Sequence, residues 1–398
     1  MQRETSTDTL FGSEPADRYD HSDKPVSLSD RLFAWRNRLL ANPDFHRRAR
    51  RNPFMRFMAR RRARSLFDLC SGFVYSQILS SCVQLKLFPL LQSGPMAIEE
   101  ISRAIGLDKE ATDVLLRSAT SLKLVENRKA GVYGLGIHGA ALLANPGVCK
   151  MIEHHAFLYR DMSDPVSLLK REQDETMLSL FWDYAGARQQ QSGASLGTEP
   201  YTELMSASQT MVAEQIIDCY PLRSHQRILD VGGGDGTFLR TVAKAAPDLS
   251  LMLFDLPPVA EQARKRFEEC IRQNQLSNEV RCFGGSVFES DLPEGADLIS
   301  LVRIIHDHND DAALAILKRC RAALPRGGTL LLAEPMGREK VGDPATDAYF
   351  GFYLHAMGRG RPRTAQELIS LLEQAGFNRC NSMRTHLPML TSLLVAKA

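Results

Sequence analysis

Four glycines fall within five residues in Asp230-Val-Gly-Gly-Gly-Asp-Gly236, between an apolar stretch, Ile228-Leu-Asp-Val231, and a helical one, Thr237 to Ala246. Glycine lets a backbone turn sharply and lie against a ligand. The end of a strand, before a helix, is where open α/β sheets bind their ligands. Gly232, Gly234 and Gly236 read G-x-G-x-G, with Thr237 where a dinucleotide-binding loop has its third glycine. Charge points the same way. Asp230 and Asp235 repel a pyrophosphate but tolerate a cation, and Asp230 suits the ammonium of a bound amino acid. Asp255 ends the next apolar stretch, Leu251-Met-Leu-Phe254, roughly 20 residues on, where an acid holds ribose hydroxyls. A nucleoside carrying a cationic sulfonium and an amino-acid tail, S-adenosylmethionine, satisfies all of these. Arg303 suits a ligand carboxylate, which guanidinium grips with two parallel bonds; a buried structural ion pair accounts for it equally well.

These residues need a frame, and the sequence supplies it by alternating strand and helix from Gln226 onward. Ile228–Val231, Leu251–Phe254, Val280–Phe283, Asp297–Val302, Thr329–Ala333 and Thr391–Ala396 read as strands. Thr237–Ala246, Val259–Gln273, Asp311–Ala323 and Ala365–Ala375 read as helices. The pattern predicts a doubly wound α/β domain with its ligand at the strand C-termini. His306 and Asp307 follow the fourth strand and Glu334 ends the fifth, all at that edge. By position alone, His306 fits a loop histidine, Asp307 the cap of helix 311–323, and Glu334 a strand-end acid.

Upstream the composition changes. Residues 1–27 are polar and acidic, without the apolar core of a signal peptide, and read as a disordered tail. Residues 28–65 form a basic helical arm broken at Pro43 and Pro53. Its arginines fit either solvated faces of packed helices or an amphipathic surface for anionic lipid headgroups. Leu66–Leu91 is helical and too apolar for a surface helix, which predicts packing within its domain or across a dimer. A helix over Met96–Ile105, a turn at Gly106, a helix over Ala111–Leu122 and a hairpin of Leu124–Glu126 with Val132–Leu135 give a winged-helix layout. Asp108, Glu110 and Asp113 at the start of the second helix oppose phosphate, so no nucleic acid is expected there. The polar stretch Gln189–Gly197 reads as a linker. The divisions are 1–27, 28–65, 66–195 and 196–398.

The whole chain is nearly neutral, at +2 in 398 residues. Its eight cysteines include no C-x-x-C pair and no zinc spacing, so reduced thiols, a cytoplasmic setting and no metal are expected. No uninterrupted run of about 18 apolar residues occurs, and no bilayer span is expected.

The chain resembles the caffeic-acid/acetylserotonin type of O-methyltransferase over about 66–398. The resemblance is carried by Leu229-Asp-Val-Gly-Gly-Gly-Asp-Gly236, Phe254-Asp-Leu-Pro257, Gly285-Ser-Val-Phe288, Arg303-Ile-Ile-His-Asp-His-Asn-Asp310, Pro325-Arg-Gly-Gly328, Glu334-Pro335 and Arg363-Thr-Ala-Gln-Glu-Leu368. Arg60–Leu69, Gly72–Gln77, Asp347–Tyr353 and Ala356–Gly360 are similar to its bacterial carotenoid branch, the demethylspheroidene (hydroxyneurosporene) O-methyltransferases. The resemblance implies a class I methyltransferase domain with a seven-stranded, mostly parallel sheet. A mainly helical winged-helix dimerisation domain would precede it, and the protein would be a homodimer. It implies S-adenosylmethionine as methyl donor, with S-adenosylhomocysteine as product. Asp230, Gly232, Gly234, Gly236, Asp255, Leu256, Ser286, Val287 and Arg303 would hold it. His306 becomes the general base, Glu334 the acid orienting it, and Asp307 a substrate contact or a tuner of His306. Trp182, Tyr349, Phe350, Tyr353 and Met357 suit a polyene tunnel, although their helical spacing also fits core packing.

Three positions depart from the family pattern. Ser286 stands where an Asp is usual, His308 replaces a Trp, and Pro362 occupies the place of an acid before the Arg-Thr pair. The implied reaction is methylation of the tertiary hydroxyl of an acyclic carotenoid in a phototrophic bacterium, at the inner face of the photosynthetic membrane. Other hydrophobic acceptors, such as a bacteriochlorophyllide or a quinone, are the alternative, and a winged-helix ligand sensor is a third.

Overall fold

The computed structural model describes residues 27–49, 51–172, 175–182, 198–337 and 342–398, with backbone alone for 198–208. The tail expected over 1–27, apart from residue 27, and the linker expected over 189–197, apart from its surroundings, lie outside the described residues. The chain divides into two compact units, Met1–Tyr75 and Ser76–Ala398.

In the first unit, α1 (Leu28–Ala41) is capped by Ser27, whose hydroxyl accepts from Asp30 N. Then come α2 (Pro43–Ala49) and the start of α3 (Pro53–Gln84). Each proline opens a helix, where its missing N–H costs nothing. The basic arm and the apolar stretch after it therefore share one continuous helix, α3. Between Leu66 and Val83 that helix carries Asp68 as its one formal charge. By length and composition it could cross a membrane, and it is the one such helix among the described residues. Ser, Gly and Gln interrupt its apolar run without charging it, so α3 passes on mean hydropathy although it holds no uninterrupted run of about 18 apolar residues.

The second unit begins with the winged-helix layout. Helices α4 (Leu87–Leu90), α5 (Ile98–Ile105) and α6 (Lys109–Ser121) pack with a three-stranded sheet, order β1-β3-β2, of β1 (Met96–Ala97), β2 (Val125–Lys129) and β3 (Val132–Leu135). Met96 and Ala97 pair with Tyr133 and Val132 as a short strand, so the helix expected from Met96 starts at Ile98. Asp108 caps α6 by accepting from Ala111 N. Cys82, Leu87, Phe88, Ile101 and Leu116 are fully or almost fully buried in this core. Helices α7 (Ile137–Leu143), α8 (Pro146–Asp161), α9 (Pro165–Lys170) and the helical segment α10 (177–182) follow.

After α11 (Thr198–Cys219) comes a seven-stranded sheet, order β11-β12-β8-β7-β4-β5-β6. Its strands are β4 (Arg227–Val231), β5 (Ser250–Asp255), β6 (Val280–Gly284), β7 (Leu298–Val302), β8 (Thr329–Glu334), β11 (Asn378–Met383) and β12 (Ser392–Lys397), while β9 (Met336–Gly337) and β10 (Arg363–Thr364) pair in parallel as a separate two-stranded sheet. β4 to β8 pair in parallel, and β12 is antiparallel to both β8 and β11. The edge strand β11, polar and largely exposed, gave no apolar signal. β4 is followed by β5 and β6 on one side and has β7 and β8 on the other. The sheet thus reverses its winding between β4 and β7, and the crevice above that reversal is the ligand position of the fold. Helices α12 (Thr237–Ala245), α13 (Pro257–Arg272), α14 (Asp310–Ala323) and α16 (Ala365–Gln374) belong to this domain, with cores of aliphatic side chains on both faces of the sheet. A π-helical turn, Pro344–Phe350, leads into α15 (Gly351–Met357).

Candidate active site

The glycine loop leaves β4 at the reversal point. Gly232, Gly234 and Gly236 all have positive φ, at 75°, 57° and 80°. Two of them also touch their surroundings too closely for a side chain. A Cβ on Gly232 would lie 2.4 Å from Ile304 Cδ1, and one on Gly236 would lie 2.6 Å from the Phe267 ring. Gly234 faces open space. That space is a cavity of about 230 Å³ lined by Gly232 to Asp235, Asp255, Arg303, Asp307 and Trp182. Gln209, Val259, Gln262, Val302 and Ile304 complete the lining.

Asp255 is fixed by its own neighbours. Its carboxylate accepts from Gly234 N at 2.8 Å and from Leu256 N at 2.7 Å. A carboxylate has about four lone-pair sites, so two remain for a pair of hydroxyls. Burial raises its pKa against the two backbone bonds that lower it. Asp230 is buried beneath the loop. One oxygen accepts from Ser300 Oγ at 2.7 Å, and the other has no hydrogen-bond partner. Burial first, then the charge of Asp255, pushes its pKa up to about 7 against the Ser300 bond. This orphaned oxygen, the open backbone at Gly234 and the spare lone pairs of Asp255 fit a ligand with a cationic amino-acid end and a ribose diol. Asp235 is different from expectation. It pairs with Arg266 and with Arg240 at 3.6 Å, and it caps Thr237 at 3.0 Å. Its charge is therefore balanced, and the case against a pyrophosphate rests on Asp230 and Asp255.

Next to this cavity lies the turn after β7. Arg303 adopts φ +59°, a left-handed conformation unusual for a side-chain-bearing residue, and it lines the cavity. Glu334, buried at the end of β8, accepts from Ile304 N at 3.0 Å, from Ile305 N at 2.7 Å and from His306 Nδ1. It is no surface acid, and His306 is buried too. His306 Nε2 lies 3.2 Å from Asp307 Oδ1. Burial alone depresses the imidazole pKa. The charges of Asp307 and Glu334, with the Glu334 hydrogen bond, outweigh it, so the pKa is raised. Asp307 is not the cap of α14. That role belongs to Asn309, whose side chain accepts from Ala312 N at 2.9 Å.

Arg363 carried no assigned role in the sequence, yet it holds this turn. Buried, it donates to Ile305 O at 2.8 Å and His308 O at 2.7 Å, and it grips Asp310 Oδ1 through two nitrogens. The signal was the Arg-Thr pair ahead of a capping box, since Thr364 and Glu367 cap α16 reciprocally. With Pro362 in place of an acid, Glu334 is the carboxylate on Nδ1. Gln209 and Gln262 were missed because nothing marks a glutamine within an amphipathic helix as facing a cavity.

The remaining expected residues are spread around this centre. Leu256 starts α13 and donates its N–H to Asp255. Ser286 and Val287 follow β6, next to Asp255, since Gly285 N donates to Asp255 O; they do not line the cavity. His308 meets the edge of Phe288, with ring centroids 5.6 Å apart. Phe350 stands edge-on to His306 at 6.4 Å. Trp182 reaches from the cavity to Tyr353, donating to its hydroxyl at 3.1 Å, and that hydroxyl also meets His154 Nε2 at 2.7 Å. Tyr349 is bonded to His155 at 2.8 Å. Tyr353 and Met357 are buried in an apolar cluster with Leu158, Leu178 and Leu354, so these two pack as core.

A doubly wound sheet, a glycine loop at its reversal point and a carboxylate-held histidine beside it describe a class I methyltransferase domain. The chain belongs to the O-methyltransferase family: residues 159–378 match the O-methyltransferase domain and residues 67–145 the O-methyltransferase dimerisation domain. It is 40% identical to demethylspheroidene O-methyltransferase of Cereibacter sphaeroides, over 90% of this chain and 93% of that one. Against the protein of the same name in Rhodobacter capsulatus it is 38% identical, over 90% and 88%. Human N-acetylserotonin methyltransferase, solved in complex with SAM, shares the fold at a TM-score of 0.68 and 22% identity, over 84% of this chain and 97% of that one.

The orphaned Asp230 gives a prediction. A carboxyl whose folded pKa is raised favours the protonated fold. Its stabilising effect is complete below the unfolded pKa and is lost as pH rises toward about 7. Asp230→Asn removes that loss. Its ligand-free melting temperature should exceed the wild type's at pH about 8 and fall to or below it near pH 5, while its affinity for S-adenosylhomocysteine drops. An identical melting difference at both pH values would contradict this account.

Proposed function

We propose that this O-methyltransferase methylates the tertiary hydroxyl of a long acyclic carotenoid, with S-adenosylmethionine as donor, as a homodimer. The observation carrying the substrate is the 40% identity, across nine-tenths of both chains, to an enzyme named for demethylspheroidene. The dimerisation domain supports the homodimer.

When bound, S-adenosylmethionine supplies an electrophilic methyl group on a cationic sulfur. Gly234, open to the cavity, would let the ligand approach the backbone; Asp255 would take its ribose hydroxyls, Asp230 its ammonium and Arg303 its carboxylate. Ser286 and Val287 would lie on the adenine side. His306 is the proton acceptor. Glu334 holds Nδ1–H, which leaves Nε2, 3.2 Å from Asp307, as the nitrogen to take the substrate proton once the hydroxyl replaces Asp307 there. A tertiary alcohol is far less acidic than a phenol, so an imidazole does not deprotonate it beforehand. Proton removal accompanies or follows methyl transfer, and orientation by the fixed turn supplies much of the rate. Phe350 and Trp182 border the centre with aromatic surface, which suits a polyene and excludes water.

Purified enzyme with methyl-labelled donor and a hydroxylated acyclic carotenoid should yield a labelled methyl ether. Label appearing instead on a bacteriochlorophyllide or quinone from the same lipid extract would overturn the carotenoid assignment. Glu334→Gln preserves an acceptor for Ile304 and Ile305 but presents an amide N–H₂ to Nδ1. The imidazole should then switch tautomer, and kcat should fall by about 10²–10⁴ with donor affinity little changed. His306 must be neutral to accept a proton, and its raised pKa shifts the alkaline-rising limb of kcat/KM above that of a free imidazole. Asp307→Asn removes the first of the charges that raise it, so that limb should move to lower pH; an unmoved limb would separate Asp307 from the titration.

A further inference from the structure

The first unit concentrates charge and exposed apolar surface in one place. Residues 28–65 hold twelve arginines and two aspartates in a chain whose net charge is +2, so the rest of the chain is net −8. Among the described residues, Arg47 pairs with Asp44, and the other arginines of the arm have no ion-pair partner. Self-pairing therefore does not explain the accumulation. On α1, Leu28, Leu32, Trp35 and Leu39 recur at helical spacing on one face. Leu28, Leu32 and Trp35 are 80%, 67% and 61% exposed. Arg31, Arg36 and Arg38 flank that stripe. At the start of α3, Phe54 and Phe57 are 74% and 67% exposed, with Arg60 to Arg62 a turn further on.

We propose that the arm over residues 28–65 docks the enzyme peripherally on an anionic lipid surface. Exposed Trp, Phe and Leu enter the headgroup boundary while arginines extend their heads to lipid phosphates. The charge fits an anionic bilayer, and the apolar stripe selects bilayer over nucleic acid, whose phosphate surface offers aliphatic side chains nothing. The docking is peripheral. Arginines crowd the first half of α3, and its last turns, with Ser80, Cys82 and Val83, are buried in protein, so a length of α3 sufficient to span is not free for lipid. Docking stands independently of which hydroxyl is methylated. It adds that a carotenoid acceptor could be drawn from the membrane without crossing water.

The chain has two tryptophans, Trp35 and Trp182, so Trp182→Phe leaves Trp35 as a reporter in the full-length protein. Vesicles with about a third phosphatidylglycerol should shift its emission to the blue and float the protein; pure phosphatidylcholine should do neither. Raised salt should release it. Substituting Arg60, Arg61, Arg62 and Arg64 by Gln should weaken flotation by about fivefold per arginine. Trp35→Ala should weaken it without altering its salt dependence. Donor binding and methylation of detergent-dispersed substrate should be unaffected in both. An unshifted Trp35 spectrum on anionic vesicles overturns the proposal. So does resistance to salt and alkaline carbonate, which would mean insertion. A change of oligomeric state in the arm variants would assign the surface to a second copy, and salt-sensitive retention on DNA without flotation would assign it to nucleic acid.

Discussion

The Glu334 carboxylate is the constraint on which the active site depends. It sits at the end of β8, buried, and accepts three hydrogen bonds from the turn that leaves β7. Hydrogen bonds to a charged acceptor contribute about 1.5–3 kcal/mol each, and stripping the partners from a buried charge costs more. The turn is therefore tied to the neighbouring strand at Ile304, Ile305 and His306 together. Arg363 ties the opposite side of it, through the carbonyls of Ile305 and His308. Two buried charges, one accepting N–H groups and one donating to C=O groups, satisfy a segment whose own regular structure is a single 3-10 turn, Ile305–Asp307.

Sheet order explains why this turn and the glycine loop are neighbours. β4 and β7 are adjacent although β5 and β6 intervene in sequence, so the chain leaves β4 and β7 in opposite windings and opens a crevice between their ends. Gly232 and Ile304 meet across it, close enough that the glycine has no room for a methyl group. A shift in one loop is thus felt in the other. The left-handed Arg303 belongs to the same junction: its N–H is held by Ala333 O at 2.8 Å while its side chain lines the cavity. Strain of this type persists where surrounding bonds over-determine the backbone.

The parallel core was legible in sequence because its buried strands are short apolar runs, and β4, β5 and β8 end at or beside a glycine or an acid. The glycine loop was legible because positive φ leaves few alternatives to glycine. What the sequence obscured is mostly polar and depends on tertiary contact. β11 is exposed on a sheet edge and so has no apolar alternation. Asp235 looks like a second loop anion until Arg240 and Arg266 arrive from two helices to neutralise it. Asp307 and Asn309 are both able caps for α14, and only the backbone direction chooses Asn309. Arg363 is more than 50 residues from the carbonyls it holds, a separation for which no local pattern exists.

The two carboxylates around His306 both favour its charged ring, but they sit on opposite nitrogens. Glu334, on Nδ1, fixes the tautomer whose Nε2 accepts a proton, and it stabilises the imidazolium once formed. Asp307, 3.2 Å from Nε2, favours the charged ring before any substrate arrives. Two acids beside one ring favour its charged form, and the charged form is the wrong state for a base. A substrate hydroxyl that displaces Asp307 from Nε2 would remove that bias at the moment the lone pair is needed. Asp307 is able to move because it is a partly exposed residue of the cavity wall, free of the capping duty that Asn309 performs. Glu334 is not, since leaving would strand two backbone N–H groups in the core. The pair thus divides a single task between one fixed acid and one displaceable acid, which suits an acceptor too weakly acidic to be ionised in advance.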